Sequence, residues 1–304
     1  MKKEIYSFRL SVLLLGIVMF IECRKSAPPF SEASLQSQTQ GSAHVSTQTD
    51  SVPIPYPQTP LTGCYYAPNY GDSIVFPQPT SGGSDYIVSP INNPGTGTYI
   101  SWPQGLVINS TTGAIDVTKS QTGERFDIGF VKKGTTDTCI TSLILGGASY
   151  MDSTYILADG ETKAFPYFNA NPYLPSICST PGSCAFDVNH SARNMKVAID
   201  PNTGMIDLNK TLNGPGGPFS VGAFGVLPLN GQVVSPDIYY QLNDESNMAL
   251  QNITVNLIYY EYKSQIPSTT LNKIGTILNN ILLNVLILNQ GNPRPPMIII
   301  TRFN

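Results

Sequence analysis

Two stretches of this chain nearly repeat each other: LVINSTTGAIDVTKS at 106–120 and KVAIDPNTGMIDLNKT at 196–211. Aligned on Gly113 and Gly204, Leu106 falls on Val197, Ile108 on Ile199, Asn109 on Asp200, Thr112 on Thr203, Ile115 on Ile206, Asp116 on Asp207 and Lys119 on Lys210. Each copy alternates apolar and polar residues, breaks at a polar group ending in Thr-Gly, and alternates again. Alternation with a period of two puts one face of each arm toward a core, so each copy reads as a β-hairpin. Asn109 and Asp200 are placed to accept backbone N–H groups at the turn entry. Gly113 and Gly204 supply the positive φ that a short connection often needs.

The pattern extends beyond the shared letters. In RFDIGFV, Phe126, Ile128 and Phe130 share a face; in FSVGAFGV, Phe219, Val221 and Ala223 do. TCITSLIL (138–145) and NITVNLIYYEY (252–262) follow, the second with Ile253, Val255, Leu257 and Tyr259 on one side. No helical period stands out between 61 and 262, and short runs punctuated by Gly, Pro and Asn predict antiparallel sheets. A 91-residue repeat is too long for a solenoid unit and close to one β-sandwich. A lone hairpin cannot cover its apolar face, whereas two facing sheets can. The expected fold is therefore all-β: two tandem Ig-like β-sandwiches at 61–150 and 151–262, then a C-terminal amphipathic helix and a short terminal strand within 263–304.

The flanks read differently. Residues 1–22 carry Lys2, Lys3 and Arg9 ahead of the apolar run LSVLLLGIVMFI, the layout of an export signal. Residues 23–60 are rich in Ser, Thr, Gln and Pro without apolar period, which predicts a disordered tether. At the other end, Leu271, Ile274, Ile277, Leu278, Ile281, Leu282 and Val285 share one helical face. Asparagines and a lysine make a membrane span there a costly alternative to a covering amphipathic helix. PRPPMIIITRF then leads into a strand at Met297–Ile300.

Composition narrows function. Only 12% of the 304 residues are charged and the net charge is −3, with no basic stripe, so nucleic-acid binding is not expected. Four cysteines follow the signal and its Cys23: Cys64, Cys139, Cys178 and Cys184. In an exported chain they admit three pairings; CSTPGSC favours Cys178–Cys184, leaving Cys64 with Cys139, while free buried thiols are the plainer alternative. No CxxC spacing suggests a metal, and no cofactor is expected.

No nucleophile elbow, HExxH, P-loop or dinucleotide glycine motif occurs, so no catalytic residue is identified. His190 lacks an evident nucleophile and orienting partner. Asp116 and Asp207 recur at one repeat address, which fits local bonding to backbone or to Lys119 and Lys210 better than a carboxylate pair for glycoside hydrolysis. Trp102, Tyr65, Tyr66, Tyr239 and Tyr240 are candidates for ligand contact, against core or cross-strand packing.

GLVINSTTGAIDVTKSQTGERFDIGF resembles the Ig-like and cadherin-like modules of bacterial surface proteins, whose signature runs Leu-x-Ile-x-x-x-Thr-Gly-x-Ile. Leu106, Ile108, Thr112, Gly113 and Ile115 match it, and Val197, Ile199, Thr203, Gly204 and Ile206 match it again. With the export signal, Cys23 and the tether, the chain is similar to a Bacteroidota cell-envelope lipoprotein. Glu22 departs from the small residue such lipoproteins place before the cysteine. The resemblance implies lipidation at Cys23 and a place at the outer membrane. Together with the missing catalytic motifs, this leads to the expectation of a non-enzymatic role in adhesion, spacing or envelope assembly, with a protein partner or a glycan as what it binds. A glycan-binding accessory of a polysaccharide uptake system is the alternative. Asp152 and Asp159 are too few for a cadherin-type calcium cluster.

Overall fold

Each repeated stretch folds back on itself through the same set of bonds. In the first, Asn109 Oδ1 accepts from Thr111 N (2.9 Å) and Thr112 N (3.0 Å), Gly113 N donates to Asn109 O (2.8 Å), and Ile108 bridges Ile115. In the second, Asp200 Oδ1 accepts from Asn202 N (2.8 Å) and Thr203 N (3.3 Å), Gly204 N donates to Asp200 O (2.9 Å), and Ile199 bridges Ile206. A buried hydroxyl then ties the two arms together. Ser120 Oγ accepts from Val107 N and donates to Asp116 O; Thr211 Oγ1 accepts from Ala198 N and donates to Asp207 O. The aspartates cap the next turn, Asp116 taking Lys119 N and Asp207 taking Lys210 N, and each pairs with that lysine's ammonium.

The computed structural model describes residues 64–214, 221–283 and 295–304. Its first segment contains β1 (Ile74–Val75), β2 (Ile87–Val88), β3 (Gly97–Trp102), β4 (Ile115–Asp116), β5 (Glu124–Lys132) and β6 (Thr138–Leu145). The chain continues through β7 (Ala148–Tyr150), β8 (Ser153–Ile156), β9 (Lys163–Ala164), β10 (Pro166–Phe168), β11 (Cys184–Phe186) and the helical turn α1 (Ser191–Asn194). Next come β12 (Ile206–Asp207), α2 (Leu208–Asn213), β13 (Gln232–Val234), β14 (Asp237–Leu242), β15 (Gln251–Thr254) and β16 (Asn256–Tyr262). Helix α3 (Ser268–Leu283) and β17 (Met297–Phe303) complete the order.

Among the described residues the strands gather in six small sheets: β1-β6-β5-β3, β2-β4, β10-β7, β11-β14-β15, β12-β9 and β13-β16-β17-β8. Two separate apolar cores result. One holds Tyr99, Ile115, Phe126, Ile128, Phe130 and Leu143; the other holds Tyr150, Phe186, Ile206, Tyr240, Leu257 and Ile300. Corresponding residues occupy corresponding places. Ile115 pairs with Val88 and Ile206 with Ala164, while Tyr99 pairs with Phe130 and Phe186 with Tyr240.

The expectation of an all-β chain with antiparallel sheets needs correction: the fold is mixed. Short helices interrupt the second segment. Asp187, fully buried, accepts Ala192 N and Arg193 N and so winds α1; Asp207 caps α2. The residues described in FSVGAFGV, 221–226, form turns rather than a strand. NITVNLIYYEY breaks at Val255, where the chain leaves the sheet of β14 for that of β13 and β17. Three pairings are parallel: β1 with β6, β16 with β17, and β17 with β8. A parallel neighbour needs a long crossover, and α3 lies within the one joining β16 to β17.

The terminal strand is longer than expected and occupies a central place. The first segment closes β1 directly on β6, whereas the second inserts β17 between β16 and β8. Ile298 and Ile300 enter the second core, and Ile299 points the other way, onto Ile266 and Ile274 beside α3. Cover on both faces explains an unbroken apolar run in place of alternation. Each of these fully buried isoleucines contributes on the order of 2 kcal/mol.

The turn glycines are under a double constraint. Gly204 has φ 72°, and a Cβ there would lie 2.7 Å from the Phe186 ring; Gly113 has φ 73° and would meet Tyr99 at 2.5 Å. Gly182 has φ 81° with open space around it. Gly182→Ala therefore carries the conformational cost alone, about 1 kcal/mol, and Gly204→Ala is expected to lose at least about 2 kcal/mol. Urea unfolding of both variants measures the difference; equal losses would show that the ring contact is immaterial.

Candidate functional site

The strongest concentration of buried polar groups lies where the two cores meet. Gly123 precedes β5 and Gly147 precedes β7, and a Cβ at either would strike backbone or side chains of the neighbouring element, so the two segments meet at backbone distance. Tyr240 sits where the first core has Phe130, and its additional oxygen is used here. The hydroxyl shares a hydrogen bond with Thr122 Oγ1 and accepts from Ala148 N at 2.9 Å. Beside it, Glu124 Oε1 accepts from Tyr167 OH at 2.8 Å and from Ser149 Oγ. Asn169 Oδ1 accepts Gly147 N, and Ala170 N donates to Gly123 O at 3.0 Å. Burial raises the Tyr167 and Tyr240 hydroxyls well above the ordinary tyrosine range, so both remain donors.

A second pair of tyrosines locks the hairpins. Tyr70 OH donates to Gly113 O at 2.7 Å and Tyr150 OH donates to Gly204 O at 2.5 Å. Burial raises both hydroxyls. Sequence reasoning missed this pair because the two tyrosines are 80 positions apart while the hairpins are 91 apart. The Ser120 and Thr211 links were missed although both residues lie inside the repeat; a hydroxyl conserved in kind at the end of each copy was the available signal.

The aromatic candidates do not form one site. Tyr240 is fully buried, so its expected ligand contact is corrected to a structural role: it is needed in the junction. Tyr65 is 88% exposed and packs edge-on against Tyr66, whose ring lies 4.1 Å from Lys132 Nζ. Tyr239 is half-buried in the second segment. Trp102 is half-buried on the outer face of β3, in register with Asp127, which is in register with Ser142. Cys64 is bonded to Cys139 and Cys178 to Cys184. Cys23, the signal and the whole of the tether lie outside the described residues.

Among the described residues no catalytic constellation is brought together. His190 is exposed in a left-handed turn, and its Nδ1 meets Arg193 Nη2 at 2.7 Å. Among the described residues no group of three or more His, Cys, Asp or Glu side chains could hold a metal ion. No described helix is long and apolar enough to cross a membrane. An open, polar cleft of 490 Å³ lies between Tyr70, Asp72, Gln78, Tyr86 and Glu245, and Gln78 Nε2 donates to Glu245 O at 2.8 Å.

No family model matches the chain, and no curated protein matches it. Among solved structures, human protocadherin-24 EC1-2 aligns at 7% identity over 61% of this chain and 92% of that one, with a TM-score of 0.20. Human CDH23 EC21-23 aligns at 13% identity over 63% of each chain, with a TM-score of 0.18. The likeness to cadherin modules is weak, and scores this low carry no argument about fold or activity.

Asp152 offers a measurable consequence. It is 1% exposed; Oδ1 accepts Met297 N at 2.7 Å, while Oδ2 is buried without a partner. Burial pushes its carboxyl up to about 7, against partial relief from the Met297 amide and the charge of Lys273. The folded protein thus holds a proton that the unfolded chain has released. Its stabilising contribution is complete below about pH 4 and is lost as pH rises through 7. Asp152→Asn keeps the amide acceptor and removes the titration. The wild type should lose on the order of 3 kcal/mol between pH 4 and pH 8 relative to this variant in urea unfolding. Parallel pH profiles would refute the assignment.

Proposed function

We propose that this chain is a non-enzymatic surface protein whose described part works as a stiff spacer in adhesion or in the assembly of envelope complexes. In this reading the two cores belong to tandem Ig-like sandwiches at 61–150 and 151–262, the second completed from outside those bounds by Ala148, Tyr150 and β17. Lipid on Cys23 holds the chain to a membrane, and residues 24–60 act as the tether. The observation that carries the reading is the buried polar junction: Glu124, Ser149 and Tyr167, with Thr122, Tyr240 and Ala148, bond one core to the other. Ordinary domain linkers leave such groups to water and permit relative motion. Here separating the cores exchanges several of these hydrogen bonds for water, at a net cost of about 0.5–1.5 kcal/mol each. That cost suits transmission of position rather than hinge motion. The repeated hairpins support the reading too, since their bonding groups are spent on holding turns.

A second reading, a glycan-binding accessory protein, is favoured by one observation: Trp102 is only half-buried on the outer face of β3.

Spin labels at exposed Ile91 and Leu229 test the spacer. The wild type should give one narrow distance distribution, and Glu124→Ala with Tyr240→Phe should broaden it; a broad wild-type distribution would overturn the reading. Palmitate labelling of wild type and Cys23→Ser tests the anchor. Label is expected only with Cys23, and equal labelling, or none in either, would remove the lipid from the account.

A further inference from the structure

We propose that the cleft beside β1 is a docking groove for an extended, lysine- or arginine-bearing segment of a partner protein, which adds to β1 as a further strand. This rests on the reading of the chain as an adhesion or assembly protein and gives that reading a partner class. The cleft, 490 Å³ in volume, is lined by the unbroken run from Asp72 to Phe76. A sheet face presents every second residue, so an unbroken run places the cleft along the edge of the strand.

That edge is free. β1 is the outermost strand of its sheet and pairs on one side only, with β6. Ser73 O accepts Ile144 N at 3.0 Å, and Val75 O accepts Gly146 N at 2.8 Å. Backbone groups of successive strand residues point to opposite sides. The N–H and C=O of Ile74 and the N–H of Phe76 therefore point away from β6, toward the open side. Pro77 follows and cannot donate, which limits the edge to the length of a short segment.

Charge selects the occupant. Asp72 and Glu245 both line the cleft and are exposed, and neither carboxylate is in an ion pair among the described residues. Lys119, next to the Thr118 hydroxyl that accepts Tyr86 N, is already held by Asp85 and Asp116. The Glu245 loop is fixed in place. Gln78 Nε2 donates to Glu245 O at 2.8 Å, and Asn247 Nδ2 donates to Gln78 Oε1 at 3.0 Å. An incoming backbone supplies alternating N–H and C=O groups to Ile74 and Phe76. In an antiparallel register, the residue two beyond the one facing Ile74 falls opposite Asp72, where a cation pairs across the strands. An acidic segment is repelled there, and a neutral sugar brings no charge to either carboxylate.

Fluorescence anisotropy with the full chain tests the groove. The probes are a labelled Thr-Val-Lys-Val-Lys-Val-Thr peptide, its glutamate counterpart and a copy with every interior amide N-methylated. Asp72→Asn, Glu245→Gln and the double variant remove the charges. Asp137→Asn, exposed just before β6 at the end remote from β1, is the control. The lysine peptide should bind the wild type and Asp137→Asn equally. Its dissociation constant should rise about two- to fivefold in each single variant and about tenfold in the double one. The glutamate and N-methylated peptides should not saturate where the lysine peptide does. Both carboxylates are exposed, so melting temperatures should stay at the wild-type value. No binding of the lysine peptide, equal binding by every variant, or equal binding of the N-methylated peptide would overturn the groove. So would a dimer that the double variant dissolves, which would give the edge to a second copy. A narrow spin-label distribution alongside any of these failures would leave the spacer standing, and a broad one with peptide binding intact would overturn the spacer alone.

Discussion

A buried tyrosine hydroxyl holding the carbonyl of a turn glycine is the interaction on which this architecture depends. Tyr70 does this for Gly113 and Tyr150 for Gly204. A Thr-Gly hairpin has only a few bonds of its own and would drift relative to the sheet it covers. The tyrosine fixes the hairpin tip from one side, and the glycine's bare Cα lets the tip rest on an aromatic ring from the other. With the tip fixed, Ile115 and Ile206 fall into the two cores, and the Asp-Lys turns that follow are set in place.

The repeat then diverges where a connection is required. Phe130 and Tyr240 pair with Tyr99 and Phe186 at corresponding addresses, and the difference between them is one oxygen. That oxygen bonds Thr122 and Ala148 and so joins one core to the next. A residue that reads as an exposed aromatic in SPDIYYQLND is instead fully buried in the junction.

What the sequence made legible was local. Asn109, Asp116, Asp200 and Asp207 accept from amides two or three residues ahead, so their roles follow from spacing alone. The long-range partners were not legible: Thr122 meets Tyr240 from 118 positions away, and Met297 meets Asp152 from 145 away. The parallel pairings escaped for a related reason. The strand at Met297–Ile300 was legible, but Ile298, Ile299 and Ile300 are covered on both faces and carry no alternation to mark its sheet. Among the candidate ligand residues, Trp102 was identifiable by type, but Asp127 and Ser142 become its neighbours only through strand register.

The insertion of β17 between β16 and β8 also orders events during synthesis. The first core draws its strands from a run ending at Leu145 and can close with about half of the 304-residue polypeptide still to be made. The second cannot close until the ribosome has passed Thr301, because its central slot is filled by the latest strand to emerge. Until then the nascent chain carries a closed first core and an open second one. A message cut short before Met297 would leave Leu257 and its neighbours without their cover, a ready recognition mark for proteolysis.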